Sequence, residues 1–228
     1  MIPHPWIDEA FTAQHITPGQ LDVLWAGGWR HFGQDFFRYS ISIADSRPEW
    51  IVPLRLDPAA FSPGKTQRRV LRANTDVRWE LRNAAHSPEV CDLFQRHKTR
   101  FTSNIPESLA VFLGDDPASG PCECLEFRCL IGEQLIAVSF LDIGATAVSS
   151  VYAAFDPLMS RRSLGTLSML KEIQWAAEHG MKLYYPGYGT SGPGVYDYKK
   201  RLQPLQGYDW AEDKWKPWSE WGHPASTR

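Results

Sequence analysis

The chain has 228 residues, 43% of them hydrophobic and 22% charged, with a formal net charge of −2. This suffices for one large or two small globular domains, and the balance of charge gives no bulk attraction to nucleic acid. No apolar run reaches the length of a membrane span, and the first residues, MIPHPWIDEA, lack the basic and apolar regions of a signal peptide. A cytoplasmic, monomeric protein is expected.

The chain divides near Asn83-Ala84-Ala85-His86, giving regions 1–82 and 83–228. In the first region, Leu21–Trp25 and Gly27–Gly33 precede a strand-like Trp50–Leu56. Ile51, Pro53 and Arg55 alternate there with Val52, Leu54 and Leu56, and Pro53 predicts an edge strand. From Ser62 to Arg82 six cations stand against two acids, a local charge of +4. Such a strip is either a footprint for an RNA backbone or a solvated surface.

Ser87 and Pro88 read as the cap and first residue of a helix. Val90, Leu93, Phe94, His97 and Phe101 continue it at helical spacing. A short helix is predicted over 106–113, and Gly114–Pro121 as a loop. Strands follow over 123–131, 134–141 and 147–155, the first two joined by Gly132-Glu133 in a type II′ turn. A helix from Leu164 to His179 carries Leu167, Leu170 and Ile173 on one face and ends at Gly180. Leu183–Tyr188 is the next strand. Trp210, Trp215, Trp218 and Trp221 read as a C-terminal wrap over the core, with base stacking the alternative.

The four cysteines, Cys91, Cys122, Cys124 and Cys129, show no C-x-x-C spacing. Cys129 alternates with Leu125, Phe127 and Ile131 as a buried strand residue would. Reduced core thiols are expected, and no metal.

Arg161, Arg162 and Ser163 open the long helix. They form a phosphate cradle of N–H groups and guanidinium forks, or an ordinary solvated start with Ser163 as cap. Asp142 and Asp156, at strand ends, are the carboxylates nearest this centre. Each is a candidate for orienting or deprotonating an amine, or a turn residue, Asp156 because Asp-Pro favours turns. Ser149, Ser150 and Tyr152 read as hydrogen-bonding residues of a pocket or as ordinary strand residues. No Ser/His/Asp arrangement supports a nucleophilic serine.

The order helix, helix, three antiparallel strands, helix, strand resembles the GCN5-related acyltransferase fold. This is an α+β fold with a mixed central sheet flanked by helices, here preceded by a smaller N-terminal region. That fold's Arg/Gln-x-x-Gly-x-Gly/Ala loop matches Arg162-Ser163-Leu164-Gly165-Thr166-Leu167, with the first Gly kept and the second lost.

The sequence also resembles the arginyl-tRNA–protein transferases and their bacterial leucyl-transferring relatives. The matching pieces are Thr66–Asn74 (TQRRVLRAN), Ser149-Ser150-Val151-Tyr152, Asp156-Pro157, Ser163-Leu164-Gly165, Gly187-Tyr188 and Tyr198-Lys199 ahead of Pro204-Leu205. The resemblance implies an aminoacyltransferase that uses a charged tRNA, arginyl or leucyl, and the α-amine of a protein N-terminus, with no further cofactor. It implies that Arg68, Arg69, Arg161, Arg162, Ser163, Gly165 and Lys199 hold RNA or its terminal adenosine. Asp142, Ser150, Tyr152 and Asp156 would shape the reacting centre, and Ser149, Gly187 and Tyr188 would line the substrate pocket.

Two segments depart from the family. Its clustered cysteines before the Val-Pro-Leu-Arg segment are missing, with Asp45–Trp50 (DSRPEW) in that place, and Gly189–Tyr196 is unusually rich in Gly and Pro. Three other readings stay open: the same donor with a small-molecule or natural-product peptide acceptor, an acyl-CoA N-acyltransferase, and a tRNA- or peptide-binding module without catalysis.

Overall fold

The structure is a computed structural model describing residues 5–44, 47–194 and 196–221. Asp45 and Ser46 of the first departure and Val195 of the second lie outside the described residues.

Twelve strands and five α-helices are found among the described residues. The first region holds β1 (Asp8–Thr12), α1 (Pro18–Ala26), β2 (Arg30–Phe32), β3 (Asp35–Tyr39), β4 (Ile41–Ala44), β5 (Arg47–Leu56), α2 (Lys65–Arg72) and β6 (Arg78–Asn83). Then come α3 (Pro88–Lys98), α4 (Ala110–Leu113), β7 (Cys124–Ile131), β8 (Gln134–Ile143), β9 (Ala147–Phe155), α5 (Leu164–Glu178), β10 (Leu183–Thr190), β11 (Gln206–Asp209) and β12 (Lys214–Pro217). The short helix expected over 106–113 is confined to α4, and the segment Pro157–Arg162 before α5 is a 3-10 turn.

The strands form a small sheet, β1-β3-β2, and a large one in the order β12-β11-β5-β10-β9-β8-β7-β6, with β4 on β5. The acyltransferase-like order is therefore present: β7, β8 and β9 are antiparallel, and α5 crosses over to β10, which runs parallel to β9. A parallel neighbour requires such a crossover. The first region contributes β5 and β6 to this sheet, β5 beside β10 and β6 beside β7.

Pro53 is the one strand residue whose expected place changes. β5 is interior, not an edge, and Pro53 stands opposite Tyr188 of β10. On its other side β4 pairing ends at Trp50 and β11 pairing covers only Leu54 and Arg55. The missing N–H thus falls beside a gap in that ladder.

α5 buries Leu164, Leu167, Leu170 and Ile173 on one face of the sheet, with Val70 and Val77 of the α2 segment packed alongside. Each such side chain contributes about 1.5–3 kcal/mol on burial. α3 and α4 cover the other face through Val90, Leu93, Phe94 and Leu113. Ser87 caps α3, accepting from Val90 N at 3.4 Å. Gly132 has φ +58, as its turn demands. Trp210, Trp215, Trp218 and Trp221 pack on the core: Trp210 Nε1 donates to Ile51 O (2.7 Å) and Trp215 Nε1 to Ala26 O (2.8 Å).

Candidate functional site

The site follows from a break in the sheet. β9 and β10 pair only over Ala147–Ser149 and Leu183–Tyr185, then diverge. Past that point the β10-facing edge of β9 is open from Val151 to Ala154. The β8–β9 register also shifts between Phe140 and Leu141, so Val151 is an extra, bulged residue. Ser149 and Ser150 consequently face opposite sides of the sheet. The bulge returns Tyr152 to the side of Ser149, where it stacks on Phe112 at 4.0 Å.

Two cations fill the vertex of the opening. Arg30, at the start of β2, donates from Nη2 to Ser150 O (2.7 Å) and from Nη1 to Ser149 Oγ (3.4 Å). Lys199 reaches in from the far side, with Nζ 3.4 Å from Tyr188 O and 4.7 Å above the Tyr196 ring. Between them lies Gly187, with φ +96, where an added Cβ would stand 2.8 Å from Arg30 Nη1 and 3.2 Å from Lys199 Nζ. Among the described residues neither cation has a carboxylate oxygen within 4.0 Å. Burial and the neighbouring Arg30 push the Lys199 amine down to about 7, against the pull of Glu172.

Glu172 lies beneath the vertex. It projects from α5 into the core, fully buried, and accepts from Tyr184 Oη at 2.6 Å. Burial raises its carboxyl to about 7, although the hydroxyls of Ser139, Tyr184 and Ser150 and the Lys199 charge oppose the rise.

Asp142 lies on the opposite face, buried next to Ser149 in the ladder. Its Oδ2 is 2.8 Å from His31 Nε2. His31 Nδ1 faces Gly33 O at 2.9 Å and must donate there, since a carbonyl only accepts. Nε2 therefore shares either a proton or a cation with Asp142. His31, Cys122 and Asp142 are the set that could hold a metal, with ligand atoms all within 4.8 Å of one another.

Of the residues expected from sequence, the structure brings Ser149, Ser150, Gly187, Tyr188 and Lys199 to this vertex, and places Asp142 beside Ser149 on the opposite face, with His31. The Tyr188 hydroxyl is spent on Gly28 O at 2.8 Å. Asp156 is at the opposite end of β9, where it caps the 3-10 turn through Leu158 N (2.9 Å) and pairs with Arg96 (3.5 Å). Arg68, Arg69, Arg161, Arg162, Ser163 and Gly165 form a second group. α2 packs on α5, and Arg162 O accepts from Asn74 Nδ2 at 3.0 Å, so both basic segments lie together. Arg68, Arg69 and Arg161 are exposed, whereas Arg162 forms a two-pronged pair with Asp76 (2.8 and 2.9 Å). Ser163 has left-handed backbone (φ 55) and its side chain caps nothing.

Sequence reasoning missed Arg30, His31, Glu172 and Tyr184. Glu172 left a signal: a lone acid beside the apolar Ile173 and Met169, four residues after Ser168. Arg30 left none, because its partners lie far along the chain.

A mixed sheet split beside a crossover helix is the acyltransferase-like fold. The chain belongs to the family described as arginine-tRNA-protein transferase, C terminus, whose model matches residues 89–209. It is 30% identical over 177 residues to the aspartate/glutamate leucyltransferase of Stenotrophomonas maltophilia (strain K279a), covering 69% of this chain and 66% of that one. It is 29% identical over 211 residues to the enzyme of the same name from Pseudomonas putida (strain W619), covering 87% and 86%. A solved structure, the C-terminal domain of a putative lysylphosphatidylglycerol synthetase from Agrobacterium fabrum, aligns with TM-score 0.48 and 18% identity over 80% of this chain and 55% of that one. No helix among the described residues is long and apolar enough to cross a membrane.

Proposed function

We propose that the protein transfers the aminoacyl group of a charged tRNA to the α-amine of a protein N-terminus. The names of its relatives favour leucine as the group transferred and an aspartate or glutamate as the acceptor residue. The observation that carries the reading is the opening between β9 and β10, with Arg30 and Lys199 at its vertex.

The chemistry is aminolysis of an ester. The acceptor nitrogen attacks the ester carbonyl, loses a proton, and the ribose oxygen departs with one. Three features of the vertex suit these steps. An open strand edge offers N–H groups to the oxyanion. Lys199, depressed to about 7, can take a proton from the ammonium and return it to the leaving oxygen. Arg30 holds Ser149 and Ser150 in place. Asp142 and Glu172 are too buried to meet substrate, and serve by positioning His31 and Tyr184 and by their fields on Arg30 and Lys199. The ester is already activated, so the reading needs no cofactor.

Residues 62–82 and the start of α5 would take the acceptor stem of the tRNA, with Arg68, Arg69 and Arg161 free to meet phosphates and Arg162 doing so on leaving Asp76. A charged tRNA as donor supports a cytoplasmic location, and one copy contains every residue invoked, which supports a monomer.

The test is an incubation of the protein with bulk charged tRNA, labelled amino acids, and matched peptides beginning with Asp or Ala. Labelled amide on the Asp peptide is expected. Saturable tRNA binding without amide on any peptide overturns the reading.

A further inference from the structure

We infer that His31, Cys122 and Asp142 form a zinc site, separate from the reacting vertex and independent of the reading above. A cavity of about 10 Å³ lies at their meeting point. It is the size of one water-sized sphere. Its polar lining is His31, Asp142, Cys122 and Cys124, and every other wall residue, Phe112 and Val151 among them, is apolar, glycine or proline. An imidazole, a carboxylate and a thiol converging on an atom-sized void inside a largely apolar shell are donors that suit zinc.

The distances suit the ion. His31 Nε2 is 2.8 Å from Asp142 Oδ2 and 3.9 Å from Cys122 Sγ, and the whole set spans no more than 4.8 Å. Ligands at ordinary zinc bond lengths stand roughly 3.3–3.6 Å apart in a tetrahedron. Side-chain rotations that shift the ligand atoms by up to about 1 Å close the difference.

Orientation and charge agree. His31 Nδ1–H is fixed on Gly33 O, which presents the Nε2 lone pair to the cavity, as a ligating histidine is usually held. A divalent ion with one thiolate, one carboxylate and a neutral imidazole is a neutral unit, the cheapest charge state to bury. Binding releases the Cys122 thiol proton and the proton shared by His31 and Asp142.

The site would fasten β2, the loop before β7 and the end of β8 together. Arg30 is the next residue to His31, so the ion would hold the vertex cation in place. These ligands differ from the cysteine cluster whose absence from the first region led to the expectation of no metal.

The protein expressed with added zinc, then desalted, should carry one zinc per chain by elemental analysis. Cobalt in place of zinc should give sulfur-to-metal charge-transfer absorption. His31→Gln and Cys122→Ser, checked for folding by circular dichroism, should lose both signals. Should either variant fail to fold, thiol labelling of the wild type decides: Cys122 should be protected until a chelator is added. Wild-type protein without zinc and without cobalt absorption overturns the site. So does zinc that persists in both folded variants, or labelling of Cys122 that ignores the chelator.

Discussion

Arg30 and Lys199 approach from opposite ends of the chain and meet over the α-carbon of Gly187. One is anchored by Ser149 and Ser150 of β9, the other by the Tyr188 carbonyl of β10. Two cations side by side in a partly dehydrated place repel each other, and stability alone does not favour the arrangement. It suits a site that waits for a negative charge or for a proton in transit.

Gly187→Ala should therefore damage the vertex. A methyl group there meets Arg30 Nη1 at 2.8 Å and Lys199 Nζ at 3.2 Å, and φ of +96 strains any residue but glycine. A loss of about 1–3 kcal/mol is expected from backbone strain. Thermal unfolding and single-turnover transfer should both show the change. An alanine variant with wild-type stability and rate would mean that neither cation is held where the geometry places it.

Lys199 should set a limb of the pH–rate profile near 7, the value to which burial and Arg30 depress it. Its amine is protonated below that point and free to accept a proton above it. The rate under saturating donor should climb with pH through this region. Lys199→Met should abolish the limb and lower the rate by roughly 10²–10⁴-fold, the usual contribution of general acid–base catalysis. Lys199→Arg separates charge from proton transfer. If that variant keeps the rate and the profile, Lys199 is a fixed charge only.

Glu172→Gln should raise stability more at pH 8 than at pH 5. The Glu172 carboxyl is raised from 4.5 to about 7, so between those values the folded chain holds a proton that the unfolded chain has lost. Stability contributed by the neutral acid is present below 4.5 and fades as pH rises through 7, a difference on the order of 3 kcal/mol. Lys199 acts in the opposite direction above 7, because its folded amine gives up its proton before the unfolded one. Glutamine removes the first contribution and can still accept from Tyr184 Oη. Melting curves of both proteins at the two pH values check this. Equal effects at pH 5 and pH 8 would show that Glu172 is ionised in the fold throughout.

The part of the site on β8, β9 and β10 was legible in sequence because it depends on local order. Strand, hairpin, crossover helix and strand follow from periodicity and from Gly132 and Gly180, and they set Asp142, Ser149 and Gly187 near one another. Arg30 was not legible, since β5 and the β1–β3 sheet join the core through pairings with no sequence pattern of their own. The facing of Tyr152 was not legible either. A bulge at Val151 leaves no trace in an alternation of apolar and polar residues, yet it reverses every side chain beyond it. Asp156 followed its other sequence reading, since the Asp-Pro turn is where it sits.

Asp76→Asn should strengthen donor binding, and only through Arg162. The Arg162 guanidinium is held by both oxygens of Asp76 (2.8 and 2.9 Å), next to the exposed Arg161 and across from Arg68 and Arg69 of α2. To meet a phosphate it must leave that carboxylate. An exposed pair of this kind contributes little because water screens it, so freeing it should tighten tRNA binding by no more than about fivefold. The dependence of affinity on salt should steepen by about one phosphate contact in the Asp76→Asn protein and flatten by the same amount in Arg162→Ala. The double variant decides the cause. If Arg162 is the group released, Asp76→Asn has no effect on an Arg162→Ala background, because a cycle of the two changes isolates their coupling. Equal tightening on both backgrounds would mean that Asp76 merely repels RNA. No tightening on either would make Arg162 a clamp between α2 and α5, leaving Arg68, Arg69 and Arg161 as the phosphate contacts.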